Sequence, residues 1–216
     1  MTDAPASDGS STLRKPYTVE DGRRRIRSFV LRQGRFTGAQ QRAFDRLWPR
    51  YGIPYTGQPR DFDGVFGRAA RRVLEIGFGP GVALELLARS VPDVTIAGID
   101  PSREMIDQAS TRNAAMVRGG RMELRQASAE RLPFTDATFD RAFAINSMQL
   151  WSDVQAGLRE TRRVLKPGGV LLLGFTRHSG QQRDGLRELL EAAGFVDVRL
   201  SSGPEEADFC VRAVNP

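Results

Sequence analysis

The stretch Val73-Leu74-Glu75-Ile76-Gly77-Phe78-Gly79-Pro80-Gly81 combines an apolar run, an acid and three alternating glycines. An apolar run that ends in glycines and enters a helical pattern reads as a strand, a tight turn and a helix. Glycines at such a turn let the backbone bend sharply and approach a ligand closely. In an open α/β sheet the turn lies at the carboxyl end of a strand, where ligands bind. A dinucleotide motif, G-x-G-x-x-G, would place its third glycine where this chain has Val82. Glu75, two residues before the first glycine, would repel a pyrophosphate but can serve a cation. A second acid, Asp100, ends the apolar run Ile96-Ala97-Gly98-Ile99 and lies 19 residues past Gly81. An acid at that place can accept from both hydroxyls of a ribose; its other reading is a helix N-cap. A nucleoside with positive charge and no phosphate satisfies both acids. S-adenosylmethionine, with its sulfonium and ammonium groups, has that character.

Strands alternating with helices position these residues. The pattern predicts strands at Arg72–Ile76, Val94–Ile99, Arg121–Gln126, Phe139–Ile145 and Gly169–Phe175, and helices at Gly81–Ser90, Ser102–Arg112 and Asp153–Leu165. A helix at Gln181–Ala193 follows, then strands Val196–Ser201 and Asp208–Val214, paired as an antiparallel hairpin. Gly194 and the Lys166-Pro167-Gly168-Gly169 segment are expected to end their helices with a left-handed glycine. The implied fold class is α/β, a doubly wound, mostly parallel, seven-stranded sheet. The expected organisation is a disordered, polar tail at residues 1–20, a basic helical extension at 21–70 and a cofactor-binding domain at 71–216.

The matching motifs are Glu75–Gly81, Gly98-Ile99-Asp100-Pro101-Ser102, Ala129-Glu130-Arg131-Leu132-Pro133-Phe134, Phe139-Asp140 and Arg163–Gly169. On these, residues 72–214 resemble the class I methyltransferases, in particular the type 11 branch that includes the ubiquinone and menaquinone C-methyltransferases. The resemblance implies an S-adenosylmethionine-dependent enzyme. It implies that Glu75, Gly77, Phe78, Gly79 and Gly81 hold the methionine end and that Asp100 binds the ribose. Pro101 and Met105 would lie near the adenine, with Ser128 and Ala129 at its edge. Ser128 stands where the family usually has Asp, which weakens that acceptor. Asn146 would line the methyl-donor pocket, and Gln149, Leu150 and Trp151 would face the substrate.

The net charge of +6 belongs to the first third of the chain. Residues 1–70 hold 13 Lys+Arg against 7 Asp+Glu, and the remainder holds 19 of each. Helices are expected around Arg23–Arg32 and Gly38–Tyr51, with Phe44 and Trp48 as anchors of the basic helix. Arg24, Arg25, Arg27, Arg32 and Arg35 are candidate RNA contacts, because arginine forks suit phosphate oxygens; a solvated basic face is the plainer reading. Residues 23–79, through Arg24–Arg35, Gln40–Tyr51 and Val65-Phe66-Gly67, are similar to bacterial tRNA (guanine-N(7)-)-methyltransferases. The expected Pro-Asp-Pro-Trp segment of those enzymes is replaced by Asn146–Asp153, so the resemblance is expected to stop near the glycine turn.

The function expected is methyl transfer to a small-molecule acceptor. The alternative is a tRNA (guanine-N(7)-)-methyltransferase, or a tRNA-binding protein with a rewired site. His178, in the loop after Phe175, is the candidate base, with a structural role as its other reading. One cysteine, Cys210, and one histidine argue against a structural zinc site, so no metal is expected. Cys210 is expected in the core. The lone thiol and the absence of a long apolar run fit a cytoplasmic protein with no membrane partner.

Overall fold

The computed structural model describes residues 72–91, 93–175, 179–202 and 209–216. The extension at residues 1–71, its candidate arginines, and His178 lie outside the described residues.

The apolar runs become strands: β1 (Arg72–Ile76), β2 (Thr95–Asp100), β3 (Met122–Gln126), β4 (Phe139–Ile145), β5 (Leu165–Phe175), β6 (Val196–Ser202) and β7 (Phe209–Val214). They form one sheet of order β3-β2-β1-β4-β5-β7-β6. All neighbours are parallel except β7, which runs antiparallel to both β5 and β6. The helices are α1 (Val82–Ser90), α2 (Arg103–Arg112), α3 (Ala114–Arg118), α4 (Val154–Val164) and α5 (Leu186–Ala192). The fold is the expected doubly wound α/β sheet.

Side chains alternate across each strand and so feed two apolar layers. Leu74, Ile76, Ala97, Ala142, Leu171 and Leu173 face Leu158 and Val164 of α4 and Leu186 and Leu190 of α5. Val73, Ile96, Phe143, Val170 and Leu172 lie in the opposite cluster with Leu84 and Leu87 of α1 and Met105, Ile106 and Ala109 of α2. Strands covered on both faces read as unbroken apolar runs rather than alternating ones. Cys210 is buried in β7, and desolvation raises its thiol pKa to about 12.

Three local expectations change. Helix α4 ends at Val164 with Leu165 extended rather than in a left-handed cap. Gly168 is left-handed, at φ +72°, but it bends the turn at Lys166–Gly169 rather than capping the helix, and that turn is clipped by Asn215, whose Nδ2 donates to the carbonyls of Leu165 (2.9 Å) and Lys166 (3.1 Å). Helix α5 starts only at Leu186, because Gly185 holds φ +75° and the Gln181 N–H bonds to Ser179 Oγ. Finally, Asn113 starts a further helical turn, α3, where a loop was expected. Gly194 does take the left-handed conformation, at φ +89°.

The sheet order reverses between β1 and β4: β2 and β3 lie to one side, β4 and β5 to the other. Ligands of doubly wound sheets bind at the carboxyl edge of such a switch point.

Candidate functional site

The carboxyl ends of β1, β2 and β4 meet at the glycine turn. Gly77 N donates to Ile99 O at 2.8 Å, and Gly81 N to Phe78 O at 3.0 Å. Gly77, Gly79 and Gly81 all have positive φ, at 76°, 53° and 75°. Their surroundings differ. A Cβ on Gly77 would stand 2.6 Å from Ser147 Cβ, and one on Gly81 2.7 Å from Ala109 Cβ. A Cβ on Gly79 would meet nothing within 4 Å. Two glycines thus let protein close on the turn, and the middle one faces open space.

This asymmetry makes a paired prediction. Gly77→Ala should destabilise the fold by about 2–5 kcal/mol, from left-handed strain together with overpacking against Ser147. Gly79→Ala should cost only about 1–2 kcal/mol, the backbone strain alone. Urea denaturation of both variants checks this, and equal losses would contradict the geometry.

The turn is held from two sides. Ser147 Oγ donates to Ile76 O at 2.6 Å. From α2, Arg112 Nε donates to Pro80 O at 3.1 Å and Asn113 Nδ2 to Gly81 O at 3.1 Å. Phe78 turns its ring inward over Gly98, into the same apolar cluster as Met105.

The two acids have different surroundings. Asp100 accepts from Gly79 N through Oδ2 and from Ser102 N through Oδ1, both at 2.9 Å. Burial raises its pKa, and these two hydrogen bonds oppose the rise. Each oxygen keeps lone-pair capacity for a further donor. Ser102, not Asp100, is the N-cap of α2, accepting from Met105 N, so the capping reading of Asp100 falls. Glu75 is 3% exposed. Its Oε2 is buried without a hydrogen-bond partner among the described residues. Burial, and then the Asp100 charge, push its pKa well above the usual carboxylate value. A buried carboxylate oxygen with no donor is costly unless a ligand supplies one. An ammonium group would supply a donor and a positive charge together.

Around the expected adenine edge, Ala127 N donates to Asp100 O at 3.2 Å and Gln126 Nε2 to Pro101 O at 3.0 Å. Pro101 and Ser128 are exposed, and Ala129 is buried. The Ser128 side chain hydrogen-bonds to Glu130. Glu130 Oε1 in turn accepts from Asp153 N at 3.0 Å, at the start of α4. On the β4 side, Asn146 has φ +50° and donates its N–H to Gly174 O at 2.9 Å. Gln149 and Leu150 are half-buried in the short 3-10 turn that follows. The Trp151 ring lies in the core, against Gly157 and Ala129. Among the described residues, no group of three His, Cys, Asp or Glu could hold a metal ion.

One positioning residue was not singled out from sequence. Arg163 of α4 donates to Leu132 O (3.0 Å), Phe134 O (2.8 Å), Asp136 Oδ1 (2.8 Å) and Glu160 (2.7 and 2.8 Å). It ties the loop after β3 to α4, and the side-chain bonds to Glu160 raise its pKa further. The two motifs Ala129–Phe134 and Arg163–Gly169 are therefore one structural unit. Lysine has a point charge and three donors and cannot span this set. Arg163→Lys is expected to lose about 1–3 kcal/mol in urea denaturation; an unchanged midpoint would show the network to be idle.

Residues 73–169 match the methyltransferase domain family. An S-adenosylmethionine-dependent methyltransferase from Aquifex aeolicus superposes with a TM-score of 0.59 at 23% identity, covering 68% of this chain and 82% of that one. In fold, the described domain is similar to S-adenosylmethionine-dependent methyltransferases. The same domain fold is shared with the [4+2]-cyclase SpnF, at TM-score 0.63 and 20% identity over 85% of this chain and 84% of that one. The fold therefore carries more than one chemistry, and the reaction has to be argued from the site. A tRNA (guanine-N(7)-)-methyltransferase from Xanthomonas campestris pv. campestris (strain 8004) is 62% identical over 100 residues, 46% of this chain and 38% of that relative. A match of that length reaches past Gly79 wherever it begins, so the likeness runs further than residues 23–79. The chain spans well under half the length of the curated relatives it matches. Among the described residues, no helix is long and apolar enough to cross a membrane.

Proposed function

We infer that the protein binds S-adenosylmethionine at the β1–β2–β4 edge and transfers its methyl group to a small-molecule acceptor. The observation that carries this reading is the buried, unpartnered Oε2 of Glu75 beside a glycine turn with open space at Gly79. Glu75 receives the ammonium of the methionine end, the Gly77–Gly81 turn holds its backbone-like portion, and Asp100 accepts from the ribose hydroxyls. The edge formed by Pro101, Ser128 and Ala129 bounds the adenine, and Asn146 borders the methyl.

The bound sulfonium supplies an activated methyl, so an in-line displacement needs orientation and exclusion of water more than a strong base. The residues described here orient: Ser147 and Asn113 fix the turn, and Arg163 fixes the loop at the adenine edge. His178 remains the proposed base for acceptors that must lose a proton. The cell compartment proposed is the cytoplasm.

A second reading is transfer to a tRNA guanine, favoured by the 62% identity over 100 residues to an enzyme of that name. On that reading Arg24, Arg25, Arg27, Arg32 and Arg35 grip the RNA backbone, and binding weakens steeply with salt. The full chain should be incubated with methyl-labelled donor and either an unmodified tRNA transcript or pooled phenols and amines. Label in the small-molecule fraction is the expected result. Label in the tRNA would establish the second reading in its place.

A further inference from the structure

Gln149 has an amide that is bonded on one side only. Its Nε2 donates to Asn146 O at 2.9 Å. A backbone carbonyl can only accept, so this bond fixes which end of the amide is which. The other end, Oε1, is buried and receives no hydrogen bond among the described residues. Leaving a buried acceptor unsatisfied carries a desolvation cost that an apolar side chain of similar shape would not incur. An orphan of this kind, without a donor among the described residues, suits one brought by a ligand.

The position of Gln149 says which ligand brings that donor. Asn146 directly follows β4 and is tied to β5 through Gly174 O. Ser147 closes against Gly77 and bonds to Ile76 O. The groups assigned to the nucleoside and the ammonium, Asp100 and Glu75, belong to β2 and β1. Gln149 lies in the turn after β4, on the other side of the switch point from Asp100; with the cofactor held by β1 and β2 as assigned above, that is the side left for the acceptor.

We propose that Gln149 is a positioning residue that accepts a hydrogen bond from the methyl acceptor itself. The acceptor therefore carries an N–H or O–H at, or directly beside, the atom that is methylated. Amines, phenols and quinols have such a group. The N7 edge of guanine presents only the N7 and O6 acceptors and has none. The inference rests on the S-adenosylmethionine-dependent reading above. In the step, the acceptor's electron pair forms the bond to the methyl carbon, and the carbon–sulfur bond breaks onto sulfur. The acceptor's proton leaves to the base proposed above or to water. Gln149 takes no proton; it holds the donor group so that the nucleophilic pair faces the methyl.

The test uses Gln149→Met and the wild-type full chain. Thermal melting, S-adenosylhomocysteine titration and methyl transfer to catechol, hydroquinone and benzylamine are measured. The melting temperature should be unchanged or higher, because an unsatisfied acceptor is removed. Affinity for S-adenosylhomocysteine should stay within about threefold, and kcat/KM for the methylated probe should fall about 10- to 100-fold. A large drop in melting temperature would make Gln149 a structural staple of the turn and overturn the proposal. Lost S-adenosylhomocysteine affinity in the variant would assign Oε1 to the cofactor and overturn it equally. So would wild-type transfer to guanine N7 of a tRNA transcript, or to none of the three probes. Wild type that is folded and binds no S-adenosylhomocysteine would instead remove the cofactor reading beneath it.

Discussion

Glu75→Gln should weaken binding of S-adenosylhomocysteine about 10- to 150-fold and leave binding of 5′-methylthioadenosine unchanged. The first ligand has the ammonium group that Glu75 is assigned to receive; the second keeps the adenosine and the thioether but lacks it. A hydrogen bond to a charged group is worth about 1.5–3 kcal/mol, which sets the range. The same substitution should stabilise the ligand-free protein at neutral and alkaline pH. Burial raises the pKa of Glu75 in the folded chain. Below the ordinary carboxylate pKa, both folded and unfolded chains hold the proton and the residue is neutral in its effect. As pH rises from there, the unfolded chain ionises first, so stability falls until the raised folded pKa is passed. Glutamine does not titrate and removes that decline. Binding an ammonium favours the charged carboxylate, so ligand binding releases a proton wherever Glu75 is still protonated, and affinity climbs with pH over that window. Melting curves across pH, with and without S-adenosylhomocysteine, check both signs. Parallel pH profiles for wild type and variant would remove Glu75 from the site.

Asp100→Ala should reduce affinity for S-adenosylhomocysteine and 5′-methylthioadenosine alike, by more than about 100-fold. Both ligands present the same two ribose hydroxyls, and each charge-assisted hydrogen bond contributes about 1.5–3 kcal/mol. Asp100 also has a structural share, since it accepts from Gly79 N and Ser102 N. The variant is therefore expected to lose about 1–3 kcal/mol of stability as well. Asp100→Asn keeps one acceptor oxygen and should recover part of each loss. The contrast with Glu75 is what separates the two roles: one acid senses the ammonium, the other the nucleoside. Calorimetry with the two ligands gives the four affinities needed. A variant that lost only stability would reduce Asp100 to a loop anchor.

Much of this was legible in the sequence because the relevant signals are local. β1, β2 and β4 are short, mostly apolar runs that end at glycine, acid or Asn, and a strand covered on both faces has to look like that. The glycine turn was readable from spacing, as was the pairing of Glu75 with Asp100. The departures come from contacts that sequence order does not show. Gly185 cuts α5 short because its φ is left-handed, whereas the helical pattern from Gln181 onward gave no sign of a break. The Lys166–Gly169 turn looked like a glycine cap, but Asn215, at the other end of the domain, supplies the hydrogen bonds that shape it. Arg163 read as one letter of a motif until the carbonyls of Leu132 and Phe134 were seen on its guanidinium. Asp100 could have been a cap until Ser102 was found in that place. The orphaned oxygens of Glu75 and Gln149 are properties of burial, and no spacing rule reports them.

The most direct test of the site is calorimetric titration of the purified full chain with S-adenosylhomocysteine, alongside its melting curve. The structure predicts micromolar binding with a matching rise in melting temperature. A cooperative melt with neither heat nor shift at millimolar ligand would contradict it: the carboxyl edge of β1, β2 and β4 would then not be an S-adenosylmethionine site.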